Sequence, residues 1–348
     1  MKNNKIGLMA ALVGALAMTA CSSDDSELLT ETPAQQQEIR LVAAWGDAYI
    51  TRAISDNFDN IFSNQRCYVW GDLYNPAEPN EAEQIKSHIV AWEVKAGTGG
   101  ALSSVDTSVK PMFPGSNQLN FYAMHGTFAD GAIVPGSTAF PAAGIEFQIA
   151  DEQMKATDYF ASDLLYAKLP GVLPTPEPIE LPFYHILSQV KIFLKPGDHV
   201  TAEELQKAEI YILNGLYHGQ FKPAKDATVN TPEGRRAMLT PNGTDKRPIK
   251  VKGNGAEDYG FRTSTEYVAA VVMPQVFDGD FLEIRVPKTG SEQVDVFTYK
   301  VENLETKSGM TYIFNLTVND GKKMTLTPTL EPWQNATGDQ TLNFGEIL

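Results

Sequence analysis

The chain has 348 residues, of which 43% are hydrophobic and 10% aromatic, enough for two domains of ordinary size with sizeable cores. Its 28 Lys and Arg stand against 43 Asp and Glu, a formal charge of -15. That balance argues against nucleic acid as a partner, because phosphate binding needs clustered basic residues, and it suits a soluble extracellular surface.

The chain opens with Lys2 and Lys5 ahead of an apolar run over residues 6–20 that stops at Met18-Thr19-Ala20-Cys21. This reads as a secretory signal over residues 1–20 that ends at a lipidated cysteine, Cys21. An ordinary signal peptide followed by a chance cysteine is the other reading, since Met18 stands where Leu is commoner. The run is shorter than the roughly 20 apolar residues a spanning helix needs, and no later segment reaches that length. With Cys21 lipidated, only Cys67 remains, so no disulfide within the chain is expected. Cys67 lies in an apparent strand and reads as a buried, inert thiol.

Ser22-Ser23-Asp24-Asp25 follows and reads as a solvated tether. Residues 38–45 then alternate, with Ile39, Leu41, Ala43 and Trp45 on one side and Glu38, Arg40, Val42 and Ala44 on the other. Period-two patterning predicts a strand with one buried face, anchored by Ile39, Leu41 and Trp45. Removing such a strand would leave an open apolar groove. Gly46-Asp47 predicts a turn, and the chain then reaches Thr51-Arg52-Ala53, where an arginine between small and hydroxyl residues suits a trypsin-like protease. Read alone, Arg52 is more often a surface charge than a cleavage site.

Short apolar or alternating runs follow at residues 67–70, 88–94, 119–125, 144–149 and 164–168, separated by Gly, Pro, Asn and Ser clusters. This punctuation predicts an antiparallel sandwich. Gly97-Thr98-Gly99-Gly100 lacks the lysine of a phosphate loop and reads as a plain loop. The proline-rich stretch over residues 170–178 predicts a stiff connector, which places a domain boundary between residues 175 and 176. The expected partition is 1–20 signal, 21–52 propeptide, 53–175 first sandwich and 176–348 second.

In the second half, Leu181, Phe183, His185 and Leu187 share one phase, and Val190, Ile192 and Leu194 the opposite one. A slip at Ser188-Gln189 predicts either a bulge or a strand that changes sheets. His185 reads as a buried, hydrogen-bonded histidine. Thr201 and Glu204 stand at capping-box spacing and predict a short helix. Strands are expected at residues 210–216, 267–273, 281–286, 294–301, 312–318 and 324–330, with turns at Asp278-Gly279, Thr289-Gly290 and Asn319-Asp320-Gly321. The tail over residues 334–348 carries Leu342 and Phe344 and is either one more strand or frayed.

The five histidines show no zinc spacing, and no Gly-x-Ser-x-Gly elbow appears. No catalytic residue, metal or cofactor is assigned, and no enzyme activity is expected.

The lipidated start, the Arg52 site after a first strand, Ser162 to Ala167 followed by Leu181 to Val190, and the close in Gly309 to Val318 before Trp333 together resemble the fimbrillins of the Bacteroidales, lipoprotein-derived subunits of surface fimbriae. The resemblance implies an all-β fold of two tandem transthyretin-like antiparallel β-sandwich domains. It also implies export to the outer membrane, cutting between Arg52 and Ala53 by an Arg-specific surface protease, loss of the first strand, and assembly with copies of itself or related subunits by donor-strand exchange. Leu342 and Phe344 are then the candidate donor segment. Two other readings stay open: a tip or accessory adhesin, and an unprocessed surface lipoprotein that binds glycans through Trp70, Trp92 or Tyr74, residues that read more naturally as core.

Overall fold

The structure, a computed structural model, describes residues 37–46, 67–75, 85–254, 267–319 and 323–332. In chain order the strands of the first half are β1 (Leu41–Trp45), β2 (Cys67–Tyr74), β3 (Ile85–Ala96), β4 (Ala101–Ser104), β5 (Gln118–His125), β6 (Ile145–Gln148), β7 (Leu165–Val172) and β8 (Ile179–His185). They continue as β9 (Ser188–Pro196), β10 (Glu209–Leu216), β11 (His218–Phe221), β12 (Leu239–Pro241), β13 (Lys246–Lys252) and β14 (Val268–Val272). The last four are β15 (Val276–Pro287), β16 (Val294–Glu305), β17 (Met310–Asn319) and β18 (Lys323–Pro332). The fold is all-β, as expected.

Seven strands in the order β1-β4-β3-β2-β5-β7-β8 form a ladder that closes when β8 pairs with β1. The middle strands read as nearly continuous apolar runs because both of their faces are covered. Cys67 and Val69 point into the barrel with Phe121, Ala123, Leu165 and Phe183. The alternate residues Tyr68, Trp70, Tyr122 and Tyr166 join a second core outside it. Cys67 is fully buried, and that burial pushes its thiol pKa up, as an inert thiol requires.

The second core lies largely between two four-stranded sheets, β13-β10-β15-β16 and β14-β9-β17-β18. Ile212, Ile249, Phe281 and Ile284 of the first meet Val190, Ile192, Phe314 and Leu316 of the second, and the Phe281 and Phe314 rings stand 5.1 Å apart. A three-stranded sheet, β12-β11-β6, draws a strand of the first half into pairing with the second. Two parallel pairings, β1 with β8 and β9 with β17, interrupt an otherwise antiparallel pattern.

The phase change after His185 is a change of sheets. β8 ends in the barrel, Ile186 and Leu187 cross over fully buried, and β9 begins in the four-stranded sheet β14-β9-β17-β18. The proline-rich stretch starts as part of β7, where a register shift accommodates Pro170 and Gly171. Gly171 takes a φ of 71° and donates its N–H to Asn120 Oδ1 at 2.8 Å. The chain from there returns as β8 into the same barrel. Asp278-Gly279 is a correction: it lies within β15 as a bulge with Gly279 at φ 87°, because the partner strand β16 continues alongside it. Thr289-Gly290 does turn the chain into β16. Asp320 and Gly321 lie outside the described residues, although Asn319 pairs with Lys323 across the final hairpin.

Thr201 and Glu204 form the expected capping box at the head of the helix Ala202–Gln206. The Glu204 N–H donates to Thr201 Oγ1 at 3.2 Å, and the Thr201 N–H donates to Glu204 Oε2 at 2.9 Å. The other Glu204 oxygen accepts the Thr289 N–H at 3.1 Å, which ties the helix to the β15–β16 turn. These backbone donors hold the Glu204 carboxyl below the usual carboxylate range.

Candidate functional site

The candidate site is β1 and the slot it fills. Alternation in the sequence is matched by burial: Ile39, Leu41 and Ala43 are 3%, 2% and 6% exposed, while Glu38 and Arg40 face solvent. The anchors pack with Val69, Trp92, Phe113, Phe121, Leu181 and Phe183 inside the barrel. Burying Ile39 and Leu41 stabilises by at most about 1.5–3 kcal/mol each. Trp45, the third expected anchor, is half-buried at the barrel's end and stacks on His185, with ring centroids 4.7 Å apart.

β1 is held along both sides, and unequally. It runs parallel to β8 over five register pairs, from Leu41 opposite Ile179 to Trp45 opposite Phe183. It runs antiparallel to β4 over only two, Leu41 opposite Leu102 and Val42 opposite Ala101. The strand direction is extended at each end. The Ile39 N–H donates to the Pro111 carbonyl at 2.9 Å and the Phe113 N–H to the Gln37 carbonyl at 2.8 Å. At the far end the Gly46 N–H donates to the Phe183 carbonyl at 2.7 Å, and the Tyr184 ring fills the space a side chain at 46 would need.

Without β1 the ladder would be an open sheet with β4 and β8 as its edges and an apolar trough between them. Short, partly parallel pairing is a weaker hold than a long antiparallel one. The strand's dependence on so few backbone bonds, set against its buried side chains, gives the slot its chemistry: main-chain donors and acceptors along two edges and pockets for alternate side chains.

A fimbrillin-like family profile matches residues 51–333. The chain belongs to the fimbrillin-like family. The matched span of this fimbrillin-like chain starts after β1 and runs through β18. Solved structures share the fold, among them two cell adhesion candidates. A candidate cell adhesion protein of Bacteroides ovatus is 16% identical, with a TM-score of 0.60, covering 87% of this chain and 99% of its own. Another from Bacteroides uniformis is 15% identical, with a TM-score of 0.54, covering 85% and 98%. No curated protein matches.

Cys21, Arg52, Ala53, Leu342 and Phe344 lie outside the described residues of the fimbrillin-like chain. Of the aromatics considered for glycan binding, Trp70 and Trp92 are 1% and 6% exposed and belong to the two cores, while Tyr74 is half-buried at the end of β2. His185 is buried and its Nδ1 stands 3.1 Å from Asp163 Oδ1, the hydrogen-bonded core histidine that the sequence predicts. Among the described residues, no group of three or more His, Cys, Asp and Glu is placed to hold a metal ion. Sequence reasoning missed Phe113 and Gly100. Phe113 carried no periodic signal because it sits in a loop, and Gly100 was one of three glycines in an apparent linker; its φ of 77° brings the turn before β4 against Ala43.

Proposed function

We propose that this protein is a structural subunit of a bacterial surface fimbria, displayed on the cell surface and serving adhesion. In this reading residues 1–20 direct export, Cys21 carries lipid at the outer membrane, and residues 21–52 form a propeptide that contains β1. An Arg-specific surface protease cuts between Arg52 and Ala53, β1 leaves, and a strand from another subunit takes the slot. Residues 53–348 are the mature subunit, and the tail with Leu342 and Phe344 is the donor. A contact of this kind runs head to tail and does not close, so it generates a filament. No cofactor and no catalytic residue is involved.

The observation that carries the reading is the position of β1. It is the strand that closes the barrel, its apolar face is buried, and the cut at Arg52 falls between it and β2. The family's matched span begins at residue 51, next to the same bond. The burial of Trp70 and Trp92 weighs against the glycan-binding alternative, which needed them at the surface.

N-terminal sequencing of protein taken from cell surfaces tests it. A start at Ala53, with Arg52→Ala leaving an uncut lipid-bearing precursor that makes no fibres, is the expected result. Fibres of undiminished length from that variant would remove the cleavage step. Deletion of residues 334–348 is expected to give a processed subunit that accepts a strand and donates none.

A further inference from the structure

The exit of β1 carries one contact of a different kind from the aliphatic pockets upstream. Trp45 lies flat on the imidazole of His185, ring centroids 4.7 Å apart and planes inclined by 15°. The register that sets Trp45 opposite Phe183, together with the Gly46 N–H bond to the Phe183 carbonyl, fixes the height at which the indole meets the imidazole.

His185 is held from its own side of the groove. Its Nδ1 stands 3.0 Å from Asp163 Oδ2, and both residues are 2% exposed. The next residue, Ile186, donates its N–H to the Leu164 carbonyl at 2.9 Å, and His185 itself pairs with Leu165 in the β7–β8 ladder. All of these partners belong to β7, β8 and the segment before β7, so the imidazole keeps its orientation when β1 is absent. A pre-set flat ring is then presented at one level of the empty slot.

We infer that His185 is the specificity-determining residue of the strand slot, selecting an arriving strand that carries an aromatic ring at the level of Trp45. This rests on the reading of β1 as a replaceable strand. Upstream, the slot holds the aliphatic side chains of Ile39, Leu41 and Ala43. A ring at the exit adds a stacking interaction that an aliphatic side chain of equal area lacks, corresponding to about a two- to tenfold gain in affinity. The partner is therefore a β-segment with small or aliphatic residues at alternate positions and an aromatic residue next to the end of the run.

The test uses the full chain after limited cutting by an Arg-specific protease, challenged with labelled peptides that copy residues 37–46 and carry Trp, Phe, Leu or Ala at the position of Trp45. The Trp and Phe peptides are expected to bind about two- to tenfold more tightly than the Leu peptide. His185→Gln keeps a polar partner for Asp163 but removes the ring, and is expected to erase that gap, so that the Trp, Phe and Leu peptides bind the variant alike. Equal binding of Trp and Leu peptides to the native protein overturns the role of His185 and leaves strand exchange standing. Retention of the gap in His185→Gln does the same, and the peptide series on native protein decides alone if that variant does not fold. If even the native-sequence peptide cannot enter the cut protein, strand exchange itself falls, and this inference with it.

Discussion

A Cβ placed on Gly100 would stand 3.0 Å from the carbonyl oxygen of Ala43. The turn that leads into β4 is thus pressed against the backbone of the strand that closes the barrel, at a φ of 77° that favours glycine. Gly100→Val is expected to cost about 1–2 kcal/mol from the left-handed backbone alone. The added methyl groups would also push on Ala43. Hydrogen exchange should show faster opening at residues 41–45 with β17 unchanged, and uniform protection in both regions would reject the contact as a clamp on β1.

Leu41 is the deepest anchor of the closing strand, and Leu41→Ala is expected to destabilise the uncut precursor by about 2–5 kcal/mol. Urea unfolding of precursor and processed protein separates two cases. If β1 departs on processing, the mature form of the variant unfolds at the same midpoint as the mature native protein. A midpoint still lowered after cutting would mean that the strand stays.

Cys67 packs in the same interior as Ile39 and Leu41, and burial pushes its thiol pKa up, so little thiolate exists while the barrel is closed. A thiol reagent should therefore label the folded precursor slowly. Labelling is expected to accelerate once β1 has left and to slow again when a strand refills the slot. A rate that is the same in all three states would show that the barrel interior does not open there.

Glu204 provides a stability effect with a definite pH sense. Its carboxyl pKa lies below that of an unfolded glutamate because the Thr201 N–H, first, and the Thr289 N–H bond its charged form. A lowered folded pKa gives stability that is complete above the unfolded value, near 4.3, and disappears as pH falls through the folded value. Glu204→Gln should thus be destabilising at pH 7 and equal to the native protein in strong acid. Thr201→Ala, which removes the side-chain cap, is expected to cost about 0.5–2 kcal/mol at pH 7. Thermal unfolding at several pH values checks both, and an acid-independent Glu204→Gln difference would contradict the assignment.

Local chemistry was readable where the chain itself contains the cause. The alternation from Ile39 to Ala43 marked a half-buried strand, the phase slip at Ser188-Gln189 allowed either a bulge or a change of sheets, of which the chain adopts the second, and the Thr201–Glu204 spacing marked a helix start. What lay between distant segments was not readable. Nothing near Leu41 announces a parallel partner at Ile179, since that pairing is chosen by the whole barrel's closure. Asp278-Gly279 looked like a hairpin turn because the local pair cannot report that β16 runs on beside it. Trp45 could be named as an anchor from its phase, whereas its imidazole partner belongs to a strand that the local pattern could not bring next to it.

The crossover at Ile186-Leu187 gives the molecule a mechanical continuity. β8 borders the slot, and two buried residues later the same backbone becomes β9, which lies parallel to β17 in the middle of the β14-β9-β17-β18 sheet. In the proposed assembly, tension on a strand seated beside β8 would be handed along one covalent line into β9 and from there sideways into β17. A fibre of the proposed kind would then carry load through backbone that runs unbroken from the slot into the β14-β9-β17-β18 sheet.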